Sequence, residues 1–354
     1  MPPLFAEEPR FLRNPLLIGS LAINPSPRLN TLVASPQPNP EIIVRPLLES
    51  DLPAADRIIR VAFGTFLGMP DPSAFMGDAS MARTRWLADP NAVLAAEHNG
   101  KLIGSNFATN WGSFGFFGPL TVEPEYWNRG VAQQLLGPTI DIFRRWGNRH
   151  LGLYTFPHSP KHMALYQKFG FWPRDLVVSF AKTIAGASAA PPDVSRFSES
   201  KPADRESLIA ACREVTDAIF SGLDVQREIR AVAEQNLGDT ILAWDSSRLA
   251  GFAVCHTGAG TEAGSGVCYA KFAAVRPGPR AADDFARLLR GIEAFAGSRR
   301  ARRVTADVNV ARREAFRAML SHGFRPERNG VAMETGDAAS GYNRAGVYIL
   351  DDWR

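Results

Sequence analysis

The pattern of apolar and polar positions along the chain predicts an α+β fold. Residues 41–47 have the composition of a strand, whereas 51–63 and 131–146 carry apolar residues at helical spacing. Asn99 and Gly100, between two strand-like runs, predict a hairpin turn. The predicted order is strand, two helices, three antiparallel strands, then helix, strand, helix and strand. This order indicates an α/β-type mixed sheet with helices on its faces.

A similar order of elements returns in a second, more degraded form, which predicts two tandem domains. A chain of 354 residues has room for both. The predicted divisions are an N-terminal arm at 1–40, a first domain at 41–183, a linker at 184–200 and a second domain at 201–354. A strand at 176–182 is expected to close the first domain. The arm is rich in Pro, Asn and Ser, and it favours docking on a surface, which is compatible with a homodimer.

Charge and cysteine content narrow the class of protein. The formal charge of +4 is compatible with an anionic ligand, or with weak nucleic-acid binding. The arginine cluster at 299–303 lacks aromatic interleaving, so we interpret it as a solvated surface and expect no nucleic-acid partner. The three cysteines fit no metal site, and their odd number argues against a disulfide framework. No apolar run is long enough to span a bilayer, so we expect a cytoplasmic protein without a metal or a membrane partner.

The stretch from Pro119 to Ala132 combines a strand, a short turn and a helix start. The strand stops at Pro124, and the helix opens at about Gly130. Because the first N–H groups of a helix have no internal partner, this joint is a candidate anion site that could hold a pyrophosphate through backbone groups. Pro138 lies inside the helix that follows and predicts a kink or a break there.

The residues of this joint resemble the acyl-CoA loop of the GCN5-related N-acetyltransferase (GNAT) superfamily. The family pattern has Gln or Arg, then Gly three positions later, then Gly or Ala two positions after that. Gly130 and Ala132 match the pattern, whereas Trp127 stands in the position that is usually polar.

A second segment resembles the helix that follows in the same family. Tyr166, Gly170 and Phe171 match its Tyr and Gly-Phe, with Ser159 in the place of Asn and His162 in the place of Ala. Ser159 is also a good helix N-cap, and Gly170 suits a helix end. The match gains weight because it follows the loop at the expected distance.

The resemblance implies an N-acyltransferase that transfers an acetyl group directly from acetyl-CoA to an amine. It implies that Tyr166 is the general acid for the leaving thiolate. Backbone groups of the splayed strand would hold the pantetheine and the thioester oxygen, and the loop would hold the pyrophosphate. The residues expected to bind the cofactor are Leu120, Thr121, Val122, Asn128, Arg129, Gly130, Val131, Ala132, Gln133 and Ser159.

The general base has several candidates. Some family members place a Glu on the strand before the loop, but the matching position here is Phe116. Glu123 lies beside the loop and is expected to face solvent. His158 and His162 are the substitutes that titrate in the useful range, and His162 lies on the same helix face as Tyr166. Deprotonation of the amine through ordered water is an equal alternative.

The second domain is expected to keep the fold and to lack the chemistry. Matching Val275 to Val122 places Asp283 and Phe285 where the first domain has Gly130 and Ala132. Matching Gly323 to Gly170 places Met319 at the position of Tyr166. We therefore expect this domain to have a structural role or to contribute to the substrate pocket. An acyl-CoA-binding sensor with little or no activity is the alternative to an enzyme, and a different acyl-CoA or thioester reaction is a third reading.

The acceptor is predicted to be a small molecule. The segments 64–78 and 173–175 are expected to wall the acceptor pocket, and they are aromatic and apolar with few charges. This composition favours a small, partly apolar amine over a polycation.

Overall fold

One continuous sheet organises the part of the chain that the structure, a computed structural model, describes: residues 41–336 and 341–353. The predicted arm at 1–40, and with it the homodimer that the arm could serve, lies outside the described residues. The strands are β1 Ile42–Pro46, β2 Val93–His98, β3 Lys101–Trp111, β4 Phe114–Phe117, β5 Thr121–Val122, β6 His150–Thr155, β7 Phe171–Thr183, β8 Val194–Arg196, β9 Gly238–Asp245, β10 Arg248–Gly258, β11 Gly264–Val275, β12 Arg303–Asn309, β13 Arg325–Thr335 and β14 Ile349–Asp351. The helices are α1 Leu52–Phe66, α2 Ala82–Ala88, α3 Val131–Trp146, α4 Pro160–Gln167, α5 Arg205–Ile219, α6 Gln226–Glu234, α7 Ala281–Ser298 and α8 Arg313–Ser321.

The same succession of elements occurs twice, which confirms the predicted α+β fold class with its mixed sheet. We call β1 to β7 with α1 to α4 the first half, and β8 to β14 with α5 to α8 the second half. The predicted hairpin is confirmed, because β2 and β3 pair antiparallel around Asn99 and Gly100, both at positive φ. In the second half, helix α6 and strands β13 and β14 are additions to the predicted elements.

The two halves exchange strands at the centre of the sheet. The sheet order is β1-β2-β3-β4-β6-β13-β7-β12-β11-β10-β9-β8. The strand predicted at 176–182 forms as part of β7, but it pairs with β12 and β13 of the second half and not with β6. The segment predicted as a linker likewise contains β8, which pairs with β9. Both differences arise from pairings between residues far apart in the sequence, which a local pattern does not report.

Helices cover both faces of the sheet. Alternating residues of β2 show this, because Val93 packs with α1 and α2 whereas Leu94 packs with α3. On the first of these faces the two halves share one core, in which the rings of Trp111 and Phe272 lie 5.3 Å apart. None of the helices in residues 41–336 and 341–353 combines the length and hydrophobicity that crossing a bilayer requires.

Helix α3 runs without a break through Pro138, which corrects the prediction of a break. Pro138 removes its own N–H from the hydrogen-bond ladder and crowds the carbonyl of Gln134. The next residue, Thr139, donates its hydroxyl to the carbonyl of Leu135 at 2.8 Å. Leu135, Leu136, Ile142 and Phe143 are buried against the sheet on both sides of the proline, so packing holds the helix together.

Candidate acyl-transfer site

Strand β4 leaves its neighbour β6 after a short parallel pairing. Residues 114–116 pair with 150–152, and β5 then pairs only with β3 on the opposite side. Within residues 41–336 and 341–353, no strand pairs with the β6-facing side of residues 117–122. We call this side the open strand edge.

The backbone of Leu120 and Val122 faces the open strand edge. Glu123 donates its N–H to the carbonyl of Ile103 in β3 at 2.8 Å. Because successive residues direct their backbone groups to opposite sides, Thr121 faces β3 as well, whereas Leu120 and Val122 face away from it. Of the three predicted strand residues, Thr121 is therefore the one whose amide is engaged by the sheet.

The indole of Trp127 holds the end of this strand. Its Nε1 donates to the carbonyl of Val122 at 2.8 Å. The unusual residue of the loop therefore points back to the strand, where it fixes the strand end against the loop. Where the family pattern usually has a polar side chain, this chain therefore has a tryptophan that makes a hydrogen bond within the protein.

The loop before α3 has the geometry of an anion site. Asn128 and Gly130 have φ of 66° and 79°, and no side chain caps the helix. A Cβ on Gly130 would meet only the Gln133 side chain, at 3.6 Å, so the backbone can be approached closely. The N–H groups of Val131, Ala132 and Gln133 lie in the first turn, where they have no intrahelical acceptor. These residues fit the pyrophosphate of acetyl-CoA.

Two cationic side chains lie beside this loop. Lys161 donates its Nζ to Asn128 Oδ1. The guanidinium of Arg129 lies over the ring of Tyr126, 5.1 Å from its centre. Their positive charge adds to the partial charge at the start of α3.

Helix α4 carries Tyr166 and begins at Ser159. Ser159 is buried, and its Oγ accepts the N–H of His162 at 3.4 Å, which confirms it as an N-cap. Tyr166 is buried, and its ring lies 5.8 Å from that of Phe117, the first residue of the open strand edge. Burial raises the pKa of Tyr166 above its ordinary value of 10, so the hydroxyl stays protonated, although it is a weaker acid than a free tyrosine.

The two histidines pack on one aromatic ring. The Phe66 ring at the end of α1 lies 5.5 Å from His158, in a stacked arrangement, and 5.0 Å from His162. Phe156, which follows β6, is 5.0 Å from Phe66. Burial, followed by the charges of Lys161 and His158, lowers the pKa of His162 below its ordinary value of 6.5, so its imidazole is neutral at pH 7.

The carboxylate of Glu123 is buried and paired, which corrects the expectation that it faces solvent. Arg57 of α1 donates to both of its oxygens, at 3.1 and 2.5 Å. Phe116, in the position of the family's Glu, is fully buried in the core shared by the two halves. Neither residue presents a base to the open strand edge.

The corresponding edge in the second half is occupied. Strand β11 pairs with β12 through residues 267–270, and then with β14 through residues 272–274. Because β10 holds the other side of β11, β14 lies on the edge that is open in the first half. Met319, at the position of Tyr166, is fully buried.

The start of α7 differs from the predicted alignment. Only five residues, 276–280, connect β11 to α7, whereas eight, 123–130, connect β5 to α3. The structural counterpart of Gly130 is therefore Arg280, which is paired with Asp245. The acidic residues Asp283 and Asp284 lie in the first turn, where they occupy the positive end of the helix dipole.

Comparison with known proteins assigns the class. Residues 62–171 match the acetyltransferase (GNAT) family, and these residues contain both the loop and Tyr166. No curated protein matches the sequence. The family match supports the resemblance of the loop and of helix α4 to the GCN5-related N-acetyltransferase superfamily.

Solved structures share the fold over most of the chain. A candidate acetyltransferase from Pyrococcus horikoshii is 15% identical, with a TM-score of 0.64, covering 89% of this chain and 95% of that one. A GCN5-related N-acetyltransferase from Sphaerobacter thermophilus is 17% identical, with a TM-score of 0.54, covering 85% and 98%. Both similarities extend through the second half, so both halves have the acetyltransferase fold.

Proposed function

We propose that the protein is an N-acetyltransferase that uses acetyl-CoA to acetylate the amine of a small molecule, and that the first half carries the reaction. The observation that best supports this proposal is the open strand edge beside the uncapped start of α3. The two features together offer amides for an acyl arm and a positive helix end for a pyrophosphate. The match of residues 62–171 to the acetyltransferase family supports acyl transfer in general.

Each part of the site has a separate task in this proposal. Bound acetyl-CoA supplies an acetyl group activated as a thioester. Backbone groups of Leu120 and Val122 hold the acyl arm, and the N–H groups at the start of α3 hold the pyrophosphate. Asn128, Arg129 and Ser159 lie beside the groups that hold the acyl arm and the pyrophosphate. The protonated hydroxyl of Tyr166 serves as the general acid.

The acceptor side is lined by half-buried aromatic rings. Phe63 and Phe75 lie 5.3 Å apart and continue the cluster of Phe66 and Phe156. Such walls favour an amine with an apolar body. The amine proton passes to His158, to the neutral His162, or to water, and these routes remain alternatives.

Replacing Tyr166 by Phe tests the proposal, because it removes the acid and keeps the ring. We expect turnover with the best amine of a screened panel to fall by about 10²-fold or more. Acetyl-CoA affinity should stay within about twofold, because the loop and the strand edge are unchanged. The assay follows release of the free thiol, and Tyr348→Phe in the second half is the matched control. Equal turnover in the two variants would contradict the role of Tyr166.

An acyl-CoA-binding sensor is the second candidate function. It is favoured by the engagement of Glu123 with Arg57 and by the packing of both histidine rings on Phe66. Slow thioester hydrolysis that no amine accelerates would support the sensor over the transferase.

A further inference from the structure

The hairpin that joins β10 to β11 in the second half reaches the first half. We call residues 258–265 the β10–β11 turn, and residues 67–81 the α1–α2 connection. Ser80 donates its N–H to the carbonyl of Thr261 at 2.9 Å, and Gly260 donates its N–H to the carbonyl of Asp78 at 2.9 Å. The two segments are therefore joined by backbone hydrogen bonds in both directions.

A carboxylate completes this joint. Asp78 accepts the N–H of Ser265 at 2.8 Å and its hydroxyl at 2.5 Å. The hydrogen bonds from Ser265 lower the pKa of Asp78, so the carboxylate is ionised at neutral pH. Gly264 has a φ of 74°, and a Cβ there would lie 3.0 Å from Asp78 Oδ1. The left-handed backbone conformation and the close approach of Asp78 therefore both favour glycine at this position.

A second contact of the turn is a buried ion pair. Arg85 of α2 donates to both oxygens of Glu262, at 3.1 and 2.8 Å, and the two side chains are 5% and 0% exposed. Lys271 donates to the same carboxylate at 2.8 Å. Burial acts to raise the pKa of Glu262, but Arg85 and Lys271 hold it well below its ordinary value, so the pair is charged at neutral pH.

Arg85 also contacts the strand that leads to the open strand edge. Its Nη1 donates to the carbonyl of Gly118 at 2.6 Å, two residues before Leu120. Glu262 therefore fixes a guanidinium that also donates a hydrogen bond to the strand proposed to receive the acyl arm. Separating a buried ion pair strongly destabilises a protein. The side chains of Arg85 and Glu262 are therefore held in this position.

The α1–α2 connection is held from its other side by the first half itself. Arg60 donates to the carbonyls of Phe75, Gly77 and Ala79 at 2.7, 2.7 and 2.5 Å. The ring of Phe75 belongs to the aromatic lining of the acceptor side. The connection thus lies between Arg60 and the β10–β11 turn, and its position depends on both.

We propose that the β10–β11 turn of the second half is a positioning element for acyl transfer in the first half. Ser265 and Thr261 set the α1–α2 connection on the acceptor side, and Glu262 acts through Arg85 on the strand that receives the acyl arm. This inference rests on the proposed function. It gives the second half a task in the reaction that requires no acyl-CoA of its own.

Replacing Ser265 by Ala tests the acceptor side of the proposal. The variant loses the hydroxyl bond to Asp78 and keeps the backbone bond, so we expect the KM for the amine to rise about threefold to tenfold. The KM for acetyl-CoA should stay within about twofold, because Ser265 does not contact the strand edge. Amide exchange in residues 69–80 should become faster. Ser321→Ala, which removes a hydroxyl bonded within its own helix, is the control.

Two further variants test the joint from the first half and the ion pair with Arg85. Asp78→Asn weakens the same joint from the first half and should reproduce the Ser265→Ala split between the two KM values. Glu262→Gln should lower kcat, and the folded fraction is read by circular dichroism before kinetics. Unchanged exchange in residues 69–80, or equal changes in both KM values, would overturn the proposal. If the wild type transfers no acyl group, the proposed function fails, whereas the exchange data still decide whether the turn holds the connection.

Discussion

The two halves share a succession of elements, but one strand edge is unpaired in the first half and paired in the second. In the first half, Leu120 and Val122 face an edge that no described strand covers, whereas in the second half β14 pairs with β11 on that edge. A strand that is already paired has no backbone groups left for an acyl arm. In a repeated fold, the chain's own strand can therefore occupy backbone groups that the other copy leaves open.

The starts of α3 and α7, beside these two edges, also differ: the start of α3 is the more open to an anionic ligand. The first half offers a glycine in the left-handed region and open space, whereas the second half places Arg280 there, followed by two acidic residues. Backbone and charge therefore both support the proposal that acyl-CoA binds to the first half. The second half instead contacts its neighbour through the buried carboxylate of Glu262 and the exposed side chain of Ser265.

The largest effect is expected from breaking the ion pair that holds β14. Arg312 is fully buried, and it donates to Asp351 of β14 at 2.6 and 2.9 Å. Tyr342 and Trp353 also donate to Asp351, but Arg312→Ala leaves this buried carboxylate without its cationic partner. We therefore expect the free energy of unfolding to fall by about 3–5 kcal/mol. Arg303→Ala, at an exposed pair with Glu327, should cost less than about 1 kcal/mol. Urea unfolding at pH 7 measures the free energy of unfolding of both variants. Similar decreases in the two variants would contradict the conclusion that the buried Arg312–Asp351 ion pair holds β14.

The next effect concerns pH and His256 of the second half. Burial lowers the pKa of His256 to about 4 from 6.5. Below pH 6.5 the unfolded chain therefore binds a proton that the folded protein binds only near pH 4, and stability falls as the pH decreases through this window. At pH 5 the loss is about 2 kcal/mol.

His256→Gln removes this titration. We expect the drop in the free energy of unfolding between pH 7 and pH 5 to be smaller by about 2 kcal/mol than in the wild type. His322→Gln, at the end of α8, is the matched control and should follow the wild type. A variant whose drop equals that of the wild type would show that His256 is not held neutral by burial.

The smallest effect is expected at Trp127 in the first half. Trp127→Phe removes the indole N–H that holds the Val122 carbonyl, and a single hydrogen bond of this kind corresponds to a loss of about threefold in acetyl-CoA affinity. Trp146→Phe, at the other end of α3, should leave the affinity unchanged. Tighter binding by Trp127→Phe would mean that the indole competes with acetyl-CoA for the Val122 carbonyl.

Local signals in the sequence predicted the parts of the site that lie close together along the chain. Asn99-Gly100, Gly130 and Ser159 each occupy the turn, helix start or cap that their chemistry favours. The exchange of β7 and β13, the covering of β11 by β14 and the pairing of Arg85 with Glu262 join residues far apart in sequence. No local pattern encodes such contacts, and the charges of Arg85 and Glu262 resemble those of surface residues until the fold buries them.

Calorimetric titration with acetyl-CoA tests most directly whether the first half alone binds the cofactor. We expect about one molecule per chain, and no measurable binding by Gly130→Glu, because the carboxylate lies at the positive end of α3. Gly147→Glu, at the other end of the same helix with a φ of 72° and open space, introduces the same charge and a similar backbone strain. It should keep the affinity within about threefold. Two molecules per chain, or full affinity in Gly130→Glu, would contradict the assignment of acyl-CoA to the first half.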